Sequence, residues 1–324
     1  MTGLSQRFVF ALCLITSQLH FSAGFSATRE ELISGYKKVL EPFQKKNPMI
    51  GQGNPATTKH PMTTEQCLEK AKTAGITFEN PGYEKICGAP YMSPLFDPAK
   101  QKPEDAKVCI DQFEFPNIPC EYPVVWTQAN EAVEICAAEG KRICDAHEWE
   151  GACAGDLQPE DYKFDSFKNL PPEGQLKARR AAHNAVANKN EVYPYGTERK
   201  KGICAMNSTK DNGCNGGDWK RCGSNTYPAG SFPECRSKFD VFDQNGNAAE
   251  HMNIPTKPEE MASANPLKPL GYTEMKGSWF IWDKYQAHPD HCRWRAPYWH
   301  GTKITDPKSH SNYHLSFRCC KDVK

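Results

Sequence analysis

The stretch Phe239-Asp-Val-Phe-Asp-Gln-Asn-Gly-Asn-Ala-Ala-Glu-His-Met252 sets large apolar side chains against a tight turn and two carboxylates. Phe239, Val241 and Phe242 can anchor it in a core. Asn245, Gly246 and Asn247 tolerate the positive φ angles of a tight turn. Asp243, Asn247 and Glu250 place side-chain oxygens around that turn, beside backbone carbonyls, a donor set that suits a hard cation such as calcium. The same residues also read as a plain hairpin with solvated carboxylates.

Around this stretch the composition narrows the possibilities. The chain has 324 residues, with 40 Lys and Arg against 39 Asp and Glu. This balance implies no general attraction to nucleic acid or anionic membranes. With 25 Pro and 23 Gly, the chain reads as loop-rich rather than as a helical bundle. Arg7, the apolar run Phe8 to Ile15 and the small residues around Ala23 to Ala27 have the order of a secretory signal over residues 1–26. The apolar run is too short to span a bilayer, and Cys13, preceded by Leu12, does not suit lipoprotein acylation. The expectation is an exported protein, periplasmic or extracellular, without a transmembrane segment. Fifteen cysteines minus Cys13 leave an even number, enough for seven disulfides in an oxidising compartment. No CxxC pair occurs, which argues against a zinc ribbon or a thioredoxin-type motif.

Read in order, residues 27–105 form a helical accessory segment and linker, and 106–324 the main domain. Leu32, Tyr36, Val39, Leu40 and Phe43 give an amphipathic helix over Ala27 to Lys46, with Pro42 near its end. Thr64 to Ala74 reads as a short helix capped by Thr64. Cys87 falls in a turn, and a Cys67–Cys87 bridge would close a local loop. Asp97 to Lys107 reads as a linker. Val108 to Phe115 alternates like a half-buried strand, followed by Cys120. Thr127 caps a helix carrying Cys136, and Asp145 begins another, with Glu148 in the capping-box position. Gly155 to Asn190 is a polar insertion, with a helix expected over Lys177 to Asn188. Cys204 to Cys235 is a disulfide-pinned coil. Lys276 to Trp282 and His314 to Cys320 read as strands.

These blocks have a recognisable order: Cys-Ile-Asp-Gln-Phe-Glu-Phe-Pro at 109–116, Val-Val-Trp-Thr-Gln-Ala at 124–129, Gly-Lys-Arg-Ile-Cys-Asp-Ala-His-Glu-Trp-Glu at 140–150, Tyr-Pro-Tyr-Gly at 193–196, the stretch from Phe239 to Glu250, Gly-Ser-Trp at 277–279 and Ser-Phe-Arg-Cys at 316–319. Their order resembles that of the formylglycine-generating enzyme, or sulfatase-modifying factor, family from about Val108 onward. The resemblance implies an irregular, loop-rich α+β fold, a variant of the C-type-lectin-like architecture. It implies a calcium ion held by the Asp243 and Glu250 side chains with the Gly246 and Ala248 carbonyls, and a second near Asn207. It also implies bridges joining Cys136 to Cys319, Cys153 to Cys292 and Cys144 to Cys320.

The family's oxidase reaction, as the resemblance implies it, uses two cysteines five apart that bind copper(I) and convert a sulfatase-type substrate cysteine. Soft thiolates suit that ion. Here the two positions hold Ile281 and Gln286. Two readings follow. In one, the chain is a binding or accessory protein, with a groove of Trp282, Trp294, Arg295, Tyr298 and Trp299 taking a protein, peptide or glycan. In the other, it is a metal-dependent oxidase rebuilt around His288 and His291, in a segment crowded with histidines. Arg318 reads as a core-supporting residue, and Asp111 and Glu114 as solvated or salt-bridged carboxylates.

Overall fold

The computed structural model describes residues 27–296 and 301–323. The expected secretory segment lies outside them, as do Tyr298 and Trp299 of the expected groove.

Helix α1 (Arg29–Lys46) begins at a reciprocal cap. Glu31 N donates to Thr28 Oγ1 at 3.2 Å, and Thr28 N donates to the Glu31 carboxylate at 2.7 Å. Pro42 sits inside the helix without ending it. Helix α2 (Thr64–Thr73) is capped by Thr63, not Thr64, whose hydroxyl donates instead to the Cys120 carbonyl at 3.0 Å. The turn expected at Cys87 is the end of helix α3 (Pro81–Cys87). Its start combines Pro81 in the first turn with an Asn80 side-chain cap, and left-handed Gly88 stops it.

The strands are β1 (Met92–Leu95), β2 (Val108–Asp111), β3 (Arg142–Ile143), β4 (Ala249–Ile254), β5 (Tyr272–Lys276), β6 (Leu315–Phe317) and β7 (Cys319–Asp322). Together with the helices they make an α+β protein with two sheets. One runs β1-β2-β7-β3, antiparallel throughout. The other runs β5-β4-β6, with β4 and β5 antiparallel and β4 and β6 parallel.

Residues 27–105 are not set apart by a linker. Tyr36 and Leu40 are buried with Phe115, Val124 and Ala129, and β1 is an edge strand of the first sheet. Most of the expected linker is a turn at Asp97, a short 3-10 helix at Pro103–Asp105 and the start of β2. The Cys67–Cys87 pairing is corrected: Cys67 bridges Cys120 and Cys87 bridges Cys109. The reason lies in the packing. Cys67 faces the cluster of Phe78 and Phe113, whereas Cys87 faces Met92 and Cys109.

Helix α4 (Ala129–Ala138) starts at Gln128 rather than Thr127, with Glu131 accepting from Gln128 N at 2.8 Å. Helix α5 (Ala146–Ala154) starts at Asp145, whose N–H donates to Glu148 at 2.8 Å. In the polar insertion, helix α6 (Pro172–Ala187) buries Arg179, Arg180 and His183 beside Leu176. The strand expected from Lys276 to Trp282 instead begins at Tyr272 and ends at Lys276. Gly277 turns the chain with φ 76°, and a Cβ there would lie 2.7 Å from the Gln244 carbonyl. The closing strand is broken at Arg318, so β6 and β7 serve different sheets.

The adjacent Cys319 and Cys320 reach Cys136 on α4 and Cys144 before α5. Cys153 on α5 bridges Cys292. Cys204–Cys235 and Cys214–Cys222 pin the irregular segment between them. Seven bridges fit an oxidising compartment. Among the described residues, no helix is long and apolar enough to cross a membrane.

Candidate functional site

The turn in the 239–252 stretch sits over a buried acidic cluster. Asp243, Gly246 and Asn247 all have positive φ, and Gly246 is required because a Cβ there would meet the Ala205 carbonyl at 2.8 Å. Asn247 Nδ2 donates to Glu114 at 3.3 Å and Ala248 N donates to the other Glu114 oxygen at 3.1 Å. Asn247 Oδ1 accepts from Tyr227 N at 2.8 Å. The turn is thus clamped from both sides. Glu114 lies past the end of β2 with no exposure, and it is bound by the turn rather than solvated.

Arg318 is the cation of this cluster. Its Nε and Nη2 each donate to Glu250 at 2.7 Å. Its other N–H groups donate to the carbonyls of Asp111, Gln112 and Phe242 at 3.0–3.1 Å. Every donor of the guanidinium therefore has an acceptor. Trp149 Nε1 adds a bond to Glu250 at 2.9 Å. Asp111, one strand position away, pairs with Lys141 at 2.8 Å.

Three carboxylates, Glu114, Asp243 and Glu250, share this one guanidinium. Burial pushes the Glu114 carboxyl well above the usual range, and the nearby Asp243 and Glu250 add to the shift. Burial likewise raises Asp243 to about 7, against the Gly230 N–H and Arg318. Asp243 Oδ2 accepts from Gly230 N at 2.6 Å. Its Oδ1 is buried and has no hydrogen-bond partner among the described residues. An orphaned acceptor amid surplus negative charge is what an oxygen-seeking cation would satisfy, and of the side chains expected to hold calcium Asp243 offers such an atom. Glu250 could contribute only what its bonds to Arg318 and Trp149 leave. Asn207, the centre of the second expected site, is exposed, and its Oδ1 accepts from the Tyr227 hydroxyl at 2.6 Å.

The positions of the expected oxidase thiols are filled otherwise. Ile281 is 1% exposed, packed with Trp279, Phe280 and Trp282 in one apolar cluster. Gln286 is exposed. The cysteines among the described residues are all joined in disulfides.

The expected groove is closed in its described part. Trp282 is buried, edge-on to Trp279 at 4.7 Å. Trp294 stacks on His288 with ring centres 4.3 Å apart. Arg295 is 1% exposed and is held by Glu150 and Asp161. Among the described residues the expected histidines join no group of three metal-ligating side chains, although His288 Nε2 and His291 Nδ1 are buried without hydrogen-bond partners. His288 turns Nδ1 to its neighbour's carbonyl, and His291 Nε2 faces the Asn188 side chain at 2.9 Å. Burial pulls both imidazoles down to about 4, so they are neutral. Among the described residues, the one metal-ligating group of three is Cys144, Glu148 and Cys320, and its two sulfurs form a disulfide.

Sequence reading missed a second buried ion network. Glu150 accepts from Lys276 at 3.1 Å and from Arg295 at 2.9 Å. Arg180 of α6 pairs with Glu274 at 2.6 Å. His183 lies 2.6 Å from both Asp161 and the Arg293 carbonyl. The signal was the run of charged residues on α6 without an apolar stripe, which left the helix to be held by ions.

No protein-family model matches the chain, and no curated protein does. Among solved structures, the chain is similar to PvdO from Pseudomonas aeruginosa, at 14% identity and a TM-score of 0.35, over 72% of this chain and 91% of that one. It is also similar to CarF, at 9% identity and a TM-score of 0.38, over 72% of this chain and 98% of that one.

Proposed function

We propose that the chain is an exported binding or accessory protein on a formylglycine-generating-enzyme-like, C-type-lectin-like scaffold, braced by calcium and lacking the family's oxidase activity. Its ligand is a protein, peptide or glycan. The observation that carries the reading is Ile281. A buried isoleucine in an apolar cluster cannot supply the copper(I) thiolate that the oxidase reaction needs, and Gln286, five residues on, does not supply it either. In this reading Asp243 and Glu250, with the Gly246 and Ala248 carbonyls, hold the calcium as a structural ion, which would neutralise the surplus carboxylate charge and lock the turn.

The test is to incubate the purified protein with copper(I), oxygen and a Cys-x-Pro-x-Arg peptide and to follow the peptide mass. No aldehyde product is expected; its appearance would overturn the reading. The calcium part is read separately by melting the protein with calcium or with a chelator. Calcium should raise the melting temperature, and Asp243→Asn should abolish that response.

A further inference from the structure

An open groove of about 670 Å³ lies between the end of α2, the turn after Tyr195 and the segment 232–236, and the Cys235 carbonyl of that segment accepts from Asp243 N at 3.2 Å. Two half-buried rings line it, Tyr195 and Phe232. Tyr195 stacks on Tyr193 at 5.7 Å, and its hydroxyl accepts from Lys200 N at 3.4 Å. Phe232 is set edge-on to Tyr227 at 5.0 Å. Both rings are therefore fixed from behind.

Cations surround them. Lys70 Nζ lies over one face of the Phe232 ring, 4.5 Å from its centre, and its charge also reaches Asp243. Arg236 has only a loose partner, Asp240 at 3.4 Å, and both side chains are well exposed. Lys200 and Lys201 stand exposed on the turn that forms one wall. Against these, Glu234 lines the groove and Glu198 lies on the same turn, so the rim keeps a net positive charge. The crevice of about 700 Å³ beside α1 differs: there Glu30 and Glu41 face Lys37 and Lys38, and the charges balance.

The walls are also held rigid. The Cys204–Cys235 disulfide joins the segment next to Ile203 to the segment next to Glu234, and Cys67–Cys120 ties down α2. A site whose walls are fixed before binding loses less entropy when a ligand enters.

We propose that this groove binds an acidic oligosaccharide, with sugar faces against Tyr195 and Phe232 and carboxylate or sulfate groups on Lys70 and Arg236. The volume lies within the range of small-ligand sites. Flat ring faces suit the C–H face of a pyranose, and a guanidinium suits a carboxylate or sulfate. A peptide is less suited, since no strand lines the groove and no sheet edge is offered for main-chain pairing. The inference rests on the binding-protein reading above and supplies its ligand class.

The experiment titrates the full mature chain by calorimetry with three probes: an oligogalacturonate, a neutral galactose oligomer of the same length and a polyglutamate peptide. Oligogalacturonate should bind, more weakly as salt rises, and at least about tenfold tighter than the neutral oligomer. Lys70→Glu with Arg236→Glu should remove that binding, and Arg236→Gln alone, at an exposed side chain with one loose partner, should weaken it at an unchanged melting temperature. Phe232→Leu should weaken both saccharides. Failure of oligogalacturonate to bind, or binding indifferent to the charge reversal, overturns the proposal. Preference for polyglutamate over oligogalacturonate overturns the saccharide assignment. Aldehyde formation on the Cys-x-Pro-x-Arg peptide would instead sink the binding-protein reading, so the two failures are distinguishable.

Discussion

The turn region from Phe239 to Met252 and the segment from Lys276 to Ala296 both place buried side chains next to ion networks, but they are built differently. In the first, polar groups face one another: Arg318 spends every donor on Glu250 and three carbonyls, and Glu114 holds Asn247 and Ala248. In the second, rings face one another: Trp279 meets Trp282, and His288 lies against Trp282 and stacks on Trp294, with Ile281 in the apolar cluster of the first two. Side chains whose polar atoms are all spent on partners hold the backbone of a turn in place, whereas rings packed on one another fill space, leaving Ile281 in an apolar cluster and Gln286 on an exposed loop.

The largest way to break this comparison is to release the second region from the rest. Cys153–Cys292 spans 139 residues of sequence, but with Cys144–Cys320 intact the loop it closes is only about 37 residues long, which in the chain-entropy model contributes about 4 kcal/mol. Replacing both cysteines by alanine should lower the denaturant midpoint accordingly. The pair Cys214–Cys222, with a sequence separation of 8, should contribute about 2.5 kcal/mol by the same relation. Equal losses from the two pairs would show that chain entropy is not what these bridges supply.

The next effect sharpens the role of the turn. Arg318→Met leaves Glu250 buried without its cation, in a cluster that already has surplus negative charge. Breaking a buried pair from one side costs about 3–5 kcal/mol, measurable by chemical denaturation. Adding Glu250→Gln should recover part of the loss, because the uncompensated charge is then gone. If the double variant is as unstable as the single one, the carbonyl bonds of Arg318 matter more than its ion pair.

How much of this was legible in the sequence differs between the two regions for a physical reason. Asn-Gly-Asn and Asp145 followed by Glu148 are local signals: the residue types that tolerate positive φ or cap a helix act within a few positions. The loop-rich character followed from the Pro and Gly content, and the α+β class was an expectation from the resemblance of the ordered blocks. What remained hidden is set by distant partners. Thr64 reads as a cap until Thr63 is seen beside Gln66. Cys67 reads as a partner for Cys87 until its cluster with Phe113 is known. Glu150 and Lys276 give no local sign of pairing across 126 positions. Trp282, Trp294 and Arg295 read as a groove because exposure cannot be told from composition; packed, the same side chains make a closed cluster and an ion network.

The smallest effect distinguishes the regions by the sign of their pH response. His288 and His291 are held neutral by burial, with pKa values near 4 against about 6.5 in an unfolded chain. Between these values the unfolded state binds more protons, so stability supplied by this region is present above pH 6.5 and is lost as pH falls toward 4. Asp243 behaves oppositely. Its carboxyl is raised to about 7 from about 3.9 in the unfolded chain, so its contribution is present at low pH and is lost as pH rises through 7 in calcium-free protein. His288→Phe keeps a ring to stack on Trp294 and removes one titrating group. It should therefore flatten the acid limb between pH 6.5 and 4 by up to about 1.4 kcal/mol per pH unit, leaving the neutral limb unchanged. Denaturant melts across pH on the two proteins read this directly. An unchanged acid limb would mean that His288 takes up its proton without leaving the aromatic cluster, and that acid lability arises elsewhere in the fold.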